Sequence, residues 1–212
     1  MYYVSSNLFF PPVDSANLDG LLAIGGDLSP ERLLLAYKSG IFPWFEKSEP
    51  IMWWSPNPRM VLCFDDLVVS KSMKQILNRN IFKVTFNQNF KEVISNCQNI
   101  KRNGQNGTWI TNDMTEAYCK LNELGIAKSV EVWQNDKLVG GLYGIDLGHV
   151  FCGESMFSLV SNASKVAFIS LATDLKQRNY KLLDCQIYNH HLESLGCREI
   201  DRVAFIELLK NN

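Results

Sequence analysis

The stretch Lys181–His191, KLLDCQIYNHH, places a carboxylate (Asp184), a thiol (Cys185), an amide (Gln186), a phenol (Tyr188) and two imidazoles (His190, His191) within eleven residues. Three kinds of chemistry use such a run: a metal site, a cysteine nucleophile, or a polar pair set on one face of a strand. The apolar residues flanking Asp184 and Gln186 read as a buried strand. Strand side chains alternate, so Asp184 and Gln186 are expected on one face and Cys185 on the other. A thiol turned away from both polar neighbours reads as packing. His190 and His191 are adjacent and cannot face one ion on regular backbone. His149 and Cys152 have the spacing of half a zinc site, but no second pair completes it. Gly153-Glu154-Ser155 starts like a nucleophile elbow, yet Phe157 stands where the second glycine is needed and no helix follows directly. There remain Asp184 beside Gln186, with Glu154 closing a neighbouring strand. Taken alone, they are better accounted for as a satisfied polar pair at a strand end and a turn residue.

The elements that must hold these residues are legible in outline. From residue 129 on, SVEVWQ, LVGGLYGI and VFCGES, separated by the turns NDK and DLGH, read as a three-stranded meander. An amphipathic helix is expected from about Asn162 to Arg178, then the strand KLLDCQI, then a last helix from about Val203 to Leu209. A meander, a helix and a further strand imply an α+β fold with a mixed sheet. Upstream, Ser70–Arg79 reads as a basic helix, FKVTFN as a strand, Phe90–Cys97 as a helix and NIKRNGQNG as a turn-rich loop. Thr111 or Asn112 opens a helix that runs through Leu124 and ends at Gly125. Residues 1–62 are rich in Pro, Gly and Trp. Ser29, Pro30 and Glu31 begin a short helix through Lys38, stopped by Gly40. The rest of this zone, IFPWF and MWWSPNPRMVL included, reads as a rigid packed layer of loops. The chain thus reads as three zones: 1–62, about 63–128, and a β-α-β core after it.

Composition narrows the class. The chain has 212 residues with 46% apolar, enough for a substantial core. No apolar run is long enough to span a membrane, and the N-terminus MYYVSSNLFFPPVDS lacks the basic start and apolar stretch of a secretory signal. The six cysteines form no C-x-x-C pair, and read as reduced thiols in a cytoplasm, where the sequons at Asn106 and Asn162 would be idle. The net charge of −1 conceals a segregation. Lys71–Arg102 carries seven basic residues against one acid, while the remainder is −7. A solvated helix face beside an acidic body, or a surface for a polyanion, both explain that.

Several ordered stretches together are more specific than any one: GLLAIGGDLSPERLLLAYKSGIFPWF, PIMWWSPNPRMVL, GTWIT, SVEVW, LVGGLYG, FCGESMFS, NASK and LLDCQIYNHHLESLG. In this order and spacing the chain, from about Asn17 to its end, resembles the leucyl/phenylalanyl-tRNA–protein transferase family of bacteria. Family members often carry a further C-terminal tail beyond the point where Asn212 ends this chain. The resemblance implies a GNAT-like acyltransferase core as the catalytic domain, 63–212, behind a small N-terminal domain, 1–62. It implies a reaction that moves Leu or Phe, and Met less well, from aminoacyl-tRNA to the α-amine of proteins with N-terminal Lys or Arg, marking them for degradation. It implies Asp184, Gln186 and Glu154 as the catalytic centre, with no cofactor and no metal. Leu142, Phe151, Gly153 and Leu183 match its acyl pocket, and Trp44 and Trp109 its contacts to the 3′ adenosine. Tyr37 and Tyr118 match its peptide side, and Lys71, Lys74, Arg79 and Lys83 its grip on the tRNA backbone. Trp53 and Trp54 are assigned to core packing. The pyrophosphate loop of CoA users, Q/R-x-x-G-x-G/A before a helix, is absent, which disfavours a CoA-dependent N-acyltransferase on the same fold. A non-catalytic tRNA-binding module would not need Glu154, Asp184 and Gln186 together.

Overall fold

The computed structural model describes residues 2–100 and 109–210. Strands β1 (Tyr2–Val4) and β2 (Leu21–Gly25), helix α1 (Pro30–Lys38), and strands β3 (Phe42–Pro43) and β4 (Met52–Trp54) come first. Then follow β5 (Arg59–Leu62), α2 (Lys71–Asn78), β6 (Lys83–Phe86), α3 (Phe90–Asn99) and α4 (Asn112–Glu123). The remainder holds β7 (Ala127–Gln134), β8 (Lys137–Asp146), β9 (Val150–Ser158), α5 (Ala163–Gln177), β10 (Leu182–Gln186), α6 (His190–Glu193), β11 (Arg198–Ile200) and α7 (Arg202–Lys210).

Local chemistry sets most boundaries. Ser29, Ser70 and Thr111 each cap a helix by accepting from the amide three residues on, at 3.4, 3.2 and 3.2 Å. The β7–β8 turn runs through Asn135 and Asp136, both at positive φ (51° and 57°), as a tight hairpin requires. Gly40 ends α1 at φ 75°, where a Cβ would also lie 2.4 Å from Ile206 Cδ1. The turn-rich loop NIKRNGQNG, apart from Asn99 and Ile100, lies outside the described residues, as do Lys101 and Arg102.

The loop layer expected for residues 1–62 is corrected by the structure. That stretch builds a four-stranded sheet in the order β1-β2-β4-β3. Its strands span two to five residues, too short for a period of two to show in sequence. Pro43, which argues against a strand, sits on the edge strand β3, where a missing donor does no harm.

The larger sheet has seven strands in the order β11-β5-β10-β9-β8-β7-β6, so it also draws β5 from the N-terminal stretch. All neighbours are antiparallel except β9 and β10, which run parallel. A parallel pair cannot be joined by a hairpin, and α5 supplies the crossover. The sheet is therefore mixed, as the α+β reading requires. Alternation along β5 shows how it is buried on both faces. Met60 and Leu62 join the cluster containing α5, while Val61 joins the one containing α1, α3, α4 and α7.

Candidate active site

The parallel pair is where regularity fails. β10 and β9 pair from Leu182–Val150 through Asp184–Cys152, and no pairing continues beyond. Each strand also slips register against its other neighbour at this level. Between β8 and β9 the partners jump from Tyr143–Ser155 to Gly144–Gly153, which leaves Glu154 as an extra residue. Between β10 and β5 they jump from Asp184–Val61 to Gln186–Met60, which leaves Cys185 extra. Gln186 then takes φ 65°, a left-handed conformation that few non-glycine residues adopt. Two bulges side by side pry the strands apart and re-aim their side chains. Glu154 accordingly lies inside β9, not at its end as the sequence reading had it.

A cavity of about 480 Å³ opens at this parting. Its lining includes Phe42, Pro43 and Trp44 from β3 and the residue after it, and Trp109 from before α4. The apolar end is formed by Leu142, Met156, Phe168, Leu171 and Leu183. Glu154 and Gln186 supply polar groups, and Tyr188, Asn189 and His191 also line it. A largely apolar slot with a few converging polar groups has the general form of a ligand site.

The polar groups form one connected chain. Gln186 Nε2 donates to Glu154 Oε1 at 2.5 Å. The Tyr118 hydroxyl donates to Glu154 Oε2 at 2.9 Å and is in turn hydrogen-bonded to the Tyr37 hydroxyl. With its amide nitrogen so engaged, Gln186 leaves its carbonyl oxygen as an acceptor. Glu154 remains half-buried at the cavity. Burial around its carboxyl is the largest influence and raises the pKa from 4.5 to about 7, against hydrogen bonds from Tyr37, Tyr118 and Gln186 that lower it. Burial first, and the charge of Glu154 second, hold both tyrosine hydroxyls well above their ordinary value.

Asp184 departs from the expected picture. It is fully buried and does not border the cavity. Its oxygens take Arg59 Nε and Nη2 at 2.8 and 2.7 Å, and Oδ1 also accepts the backbone amide of Gln186 at 3.0 Å. It therefore holds the Gln186 backbone and not the side-chain amide. Nor do Asp184 and Gln186 simply share a strand face, because the bulge breaks the alternation before Gln186. Cys185 borders the cavity and lies 3.7 Å from Cys197 Sγ. Its thiol is held well above the ordinary value by the Cys197 contact and by burial, so it is poorly suited to act as a nucleophile.

The other expected positions separate into two groups. Trp44, Trp109, Leu142, Gly153 and Leu183 all border the cavity. Phe151, Tyr37 and Tyr118 do not. Phe151 is packed beneath Gly144 within the α5-side cluster. Tyr37 and Tyr118 are buried behind Glu154 and reach the cavity only through its carboxylate. Trp53 is fully buried, as expected. Trp54 is half-buried, packs on the Trp44 ring at 5.6 Å and donates to the Trp44 carbonyl at 2.6 Å. Lys71, Lys74, Arg79 and Lys83 are exposed on α2, at its end and on the edge strand β6. Arg59, Met156, Phe168 and Leu171 were not singled out from sequence. An arginine heading the apolar run Met60-Val61-Leu62 was the available signal for Arg59. Phe168 and Leu171 are three apart on an apolar helix, which marks core and cavity wall alike.

Among the described residues, no group of three or more His, Cys, Asp or Glu side chains is placed to hold a metal ion, and no helix is long and apolar enough to cross a membrane.

Comparison with known proteins adds the following. The family model for leucyl/phenylalanyl-tRNA protein transferase matches residues 61–210, and that for the N-terminal domain of the same family matches residues 26–57. A leucyl/phenylalanyl-tRNA–protein transferase of Flavobacterium johnsoniae is 74% identical over 100% of both chains. One of Flavobacterium psychrophilum is 69% identical over 99% of this chain and 100% of the relative. One of Syntrophus aciditrophicus is 55% identical over 97% and 86%. Solved structures similar to this chain include L-PGS from Bacillus licheniformis, with TM-score 0.43 and 12% identity over 79% of this chain and 53% of that one. Another is a GCN5-related N-acetyltransferase from Kribbella flavida, with TM-score 0.37 and 10% identity over 80% and 60%.

Proposed function

Because the chain belongs to the leucyl/phenylalanyl-tRNA protein transferase family, we propose that its cavity joins the aminoacyl end of Leu-tRNA or Phe-tRNA to the α-amine of a protein whose N-terminal residue is Lys or Arg. The chain is an aminoacyltransferase. The finer assignments are the acceptor class, the role of each residue, a GNAT-like catalytic domain at 63–212 behind an N-terminal domain at 1–62, and work in the cytoplasm.

The observation that carries the reading is the Glu154–Gln186 contact, in a cavity also lined by apolar side chains and two tryptophans. An aminoacyl ester is already activated, so the site mainly aligns two substrates and manages protons. The acceptor amine attacks the ester carbonyl carbon. A C–N bond forms, the ester C–O bond breaks, and the terminal ribose oxygen of the tRNA leaves as a hydroxyl, gaining the equivalent of the proton that the neutral amine loses. Gln186 does not protonate near neutral pH and is no ordinary base. Its free carbonyl oxygen orients the amine by accepting one of its hydrogens. Glu154 supplies negative charge to a cationic N-terminal residue. The leucyl or phenylalanyl side chain enters the slot of Leu142, Phe168, Leu171 and Leu183, which admits apolar groups and discriminates weakly among them. Trp44 and Trp109 offer aromatic faces to the unpaired terminal base. Lys71, Lys74, Arg79 and Lys83 meet phosphates, positioning the tRNA without reading its sequence.

The test is transfer from Leu-tRNA to an Arg-initiated peptide, read by mass. A gain of one leucyl residue that disappears on RNase treatment supports the reading. Modification supported by acetyl-CoA in place of charged tRNA would favour the CoA-dependent rival instead.

A further inference from the structure

Arg59 is buried to 1% exposure, belongs to none of the roles above, and lies behind the cavity, between Asp184 and the Phe42 ring. Its guanidinium donates twice to Asp184, at 2.8 and 2.7 Å. The same Asp184 oxygen that takes Nε also takes the Gln186 backbone amide, at 3.0 Å. The third guanidinium nitrogen, Nη1, donates to the Gly40 carbonyl at 3.2 Å. Two residues on lies Phe42, the start of the wall that carries Trp44. The cation is held between two rings, 4.8 Å from the Phe42 centroid and 4.7 Å from that of Phe205 on α7. One side chain thus joins the turn that aims Gln186 to the wall that carries Trp44.

Stability alone is a weak reason for this arrangement. A buried ion pair must offset the desolvation of two charges, and apolar residues of similar volume often serve as well or better. What an apolar pair cannot do is accept the Gln186 amide. Nor can it fix a planar fork between Gly40 and Asp184. Gln186 sits at φ 65°, a conformation that persists only where the surroundings over-determine it. The Asp184 carboxylate is the group that does so, and Arg59 fixes that carboxylate in place and orientation.

We propose that Arg59 is a positioning residue for transfer: through Asp184 it holds Gln186 in its left-handed turn, and through Gly40 it holds the Trp44 wall at a set distance from that turn. The proposal rests on the reading of Gln186 as the group that orients the acceptor amine. Neither Arg59 nor Asp184 touches substrate in this account.

The experiment compares wild type, Arg59→Lys, the double variant Arg59→Met with Asp184→Leu, and Gln186→Ala. Each is assayed at the same interval below its own thermal midpoint, with kcat and KM read separately for Leu-tRNA and an Arg-initiated peptide. The double variant removes both charges at once and is expected to keep most of the midpoint while losing at least tenfold in kcat. Arg59→Lys keeps one positive charge beside Asp184 but not the fork. It is expected to lose kcat in the same direction, with less than a threefold change in peptide KM. A double variant with near-wild-type kcat, or an Arg59→Lys whose kcat is unchanged, overturns the proposal. Should the double variant not fold, Arg59→Lys decides by itself. Gln186→Ala separates the two levels: if it keeps full kcat, the reading of the site has failed, whereas a dead Gln186→Ala beside an unaffected Arg59→Lys condemns the role of Arg59 alone.

Discussion

Two glutamates on the large sheet, Glu131 on β7 and Glu154 on β9, look alike in sequence and do opposite things. Glu131 is fully buried and its oxygens accept from four donors. These are the hydroxyls of Thr85 and Ser129, at 2.6 and 2.5 Å, and the amides of Gln88 and Asn89, both at 3.3 Å. Two of the donors are rigid backbone at the entry to α3, so the carboxylate ties that helix to β6 and β7. Glu154 is met by side chains, accepting from Gln186 and Tyr118 with the Tyr37 hydroxyl close by, and keeps a face toward the cavity. The two differ in exposure, Glu131 being fully buried and Glu154 half-buried, and more sharply in their partners. What separates them is whether every lone pair is taken by the fold or some are left for a ligand. Trp53 and Trp109 repeat the contrast among aromatics. Trp53 is enclosed and its Nε1 donates to the Gly25 carbonyl at 2.8 Å, whereas Trp109 borders the cavity.

The comparison breaks first on stability. Glu131→Ala strands two buried hydroxyls, those of Thr85 and Ser129, each worth on the order of 1–3 kcal/mol, and is expected to destabilise by about 2 kcal/mol or more. Trp53→Ala should cost about 3–5 kcal/mol through the void it leaves. Urea unfolding checks both. A Glu131→Ala protein of wild-type stability would remove the distinction drawn here.

The second contrast is on activity. Glu154→Gln keeps shape and removes the charge that, in the proposed function, meets a cationic N-terminal residue. Its kcat/KM for an Arg-initiated peptide is expected to fall about 10–100-fold, that is, about 1.4–2.7 kcal/mol, with little change in unfolding midpoint. Equal loss on a peptide starting with an uncharged residue would show that Glu154 does not serve the acceptor's charge.

Trp109→Ala should weaken donor binding by about 1–3 kcal/mol if the ring stacks on a base. It should leave stability far less affected than Trp53→Ala does. KM for Leu-tRNA, set beside thermal unfolding of both variants, checks this.

A pH series sharpens the Glu154 side. Its carboxyl, raised to about 7, is half ionised near neutrality and gains charge as pH rises. Peptide KM should therefore fall between about pH 6 and 8, and Glu154→Gln should flatten that part of the profile. Folding runs the other way. The folded state holds this proton more tightly than the unfolded chain, so the group's contribution is fully present below 4.5 and lost as pH rises through about 7. A peptide KM that rises over the same window would reverse the assignment.

The smallest effect belongs to the surface. Replacing Lys71 and Lys74 together by alanine should reduce the slope of log binding against log salt by about 1.5, if both meet phosphates. Stability should hardly move, because exposed charges contribute little. An unchanged slope in a filter-binding series would leave these lysines as an ordinary solvated helix face.

Elements with strong local signals were legible in the sequence: the serine-capped α1 and α2, the hairpin at Asn135-Asp136, the meander, α5 and β10. The four-stranded N-terminal sheet was not, because strands of two to five residues, one containing Pro43, carry no periodicity. At the site, sequence alone had isolated Asp184, Gln186 and Glu154 as the residues left once metal, thiol and serine chemistry were set aside. Ordered motifs then pointed to the family. The partner of Asp184 lies 125 positions away in the chain, and nothing in the run around Arg59 names it.

The sequence by itself determined which groups are present, which chemistry they exclude and which family they belong to, since those follow from residue type and order. Only the tertiary structure decided which way the groups point. Register is set by neighbouring strands, and a slip of one residue exchanges the two faces. Here slips on β9 and β10 turn Glu154 and Gln186 toward each other and leave Asp184 behind them, against Arg59. Such slips arise from pairing with distant segments, and no local run of side chains encodes them.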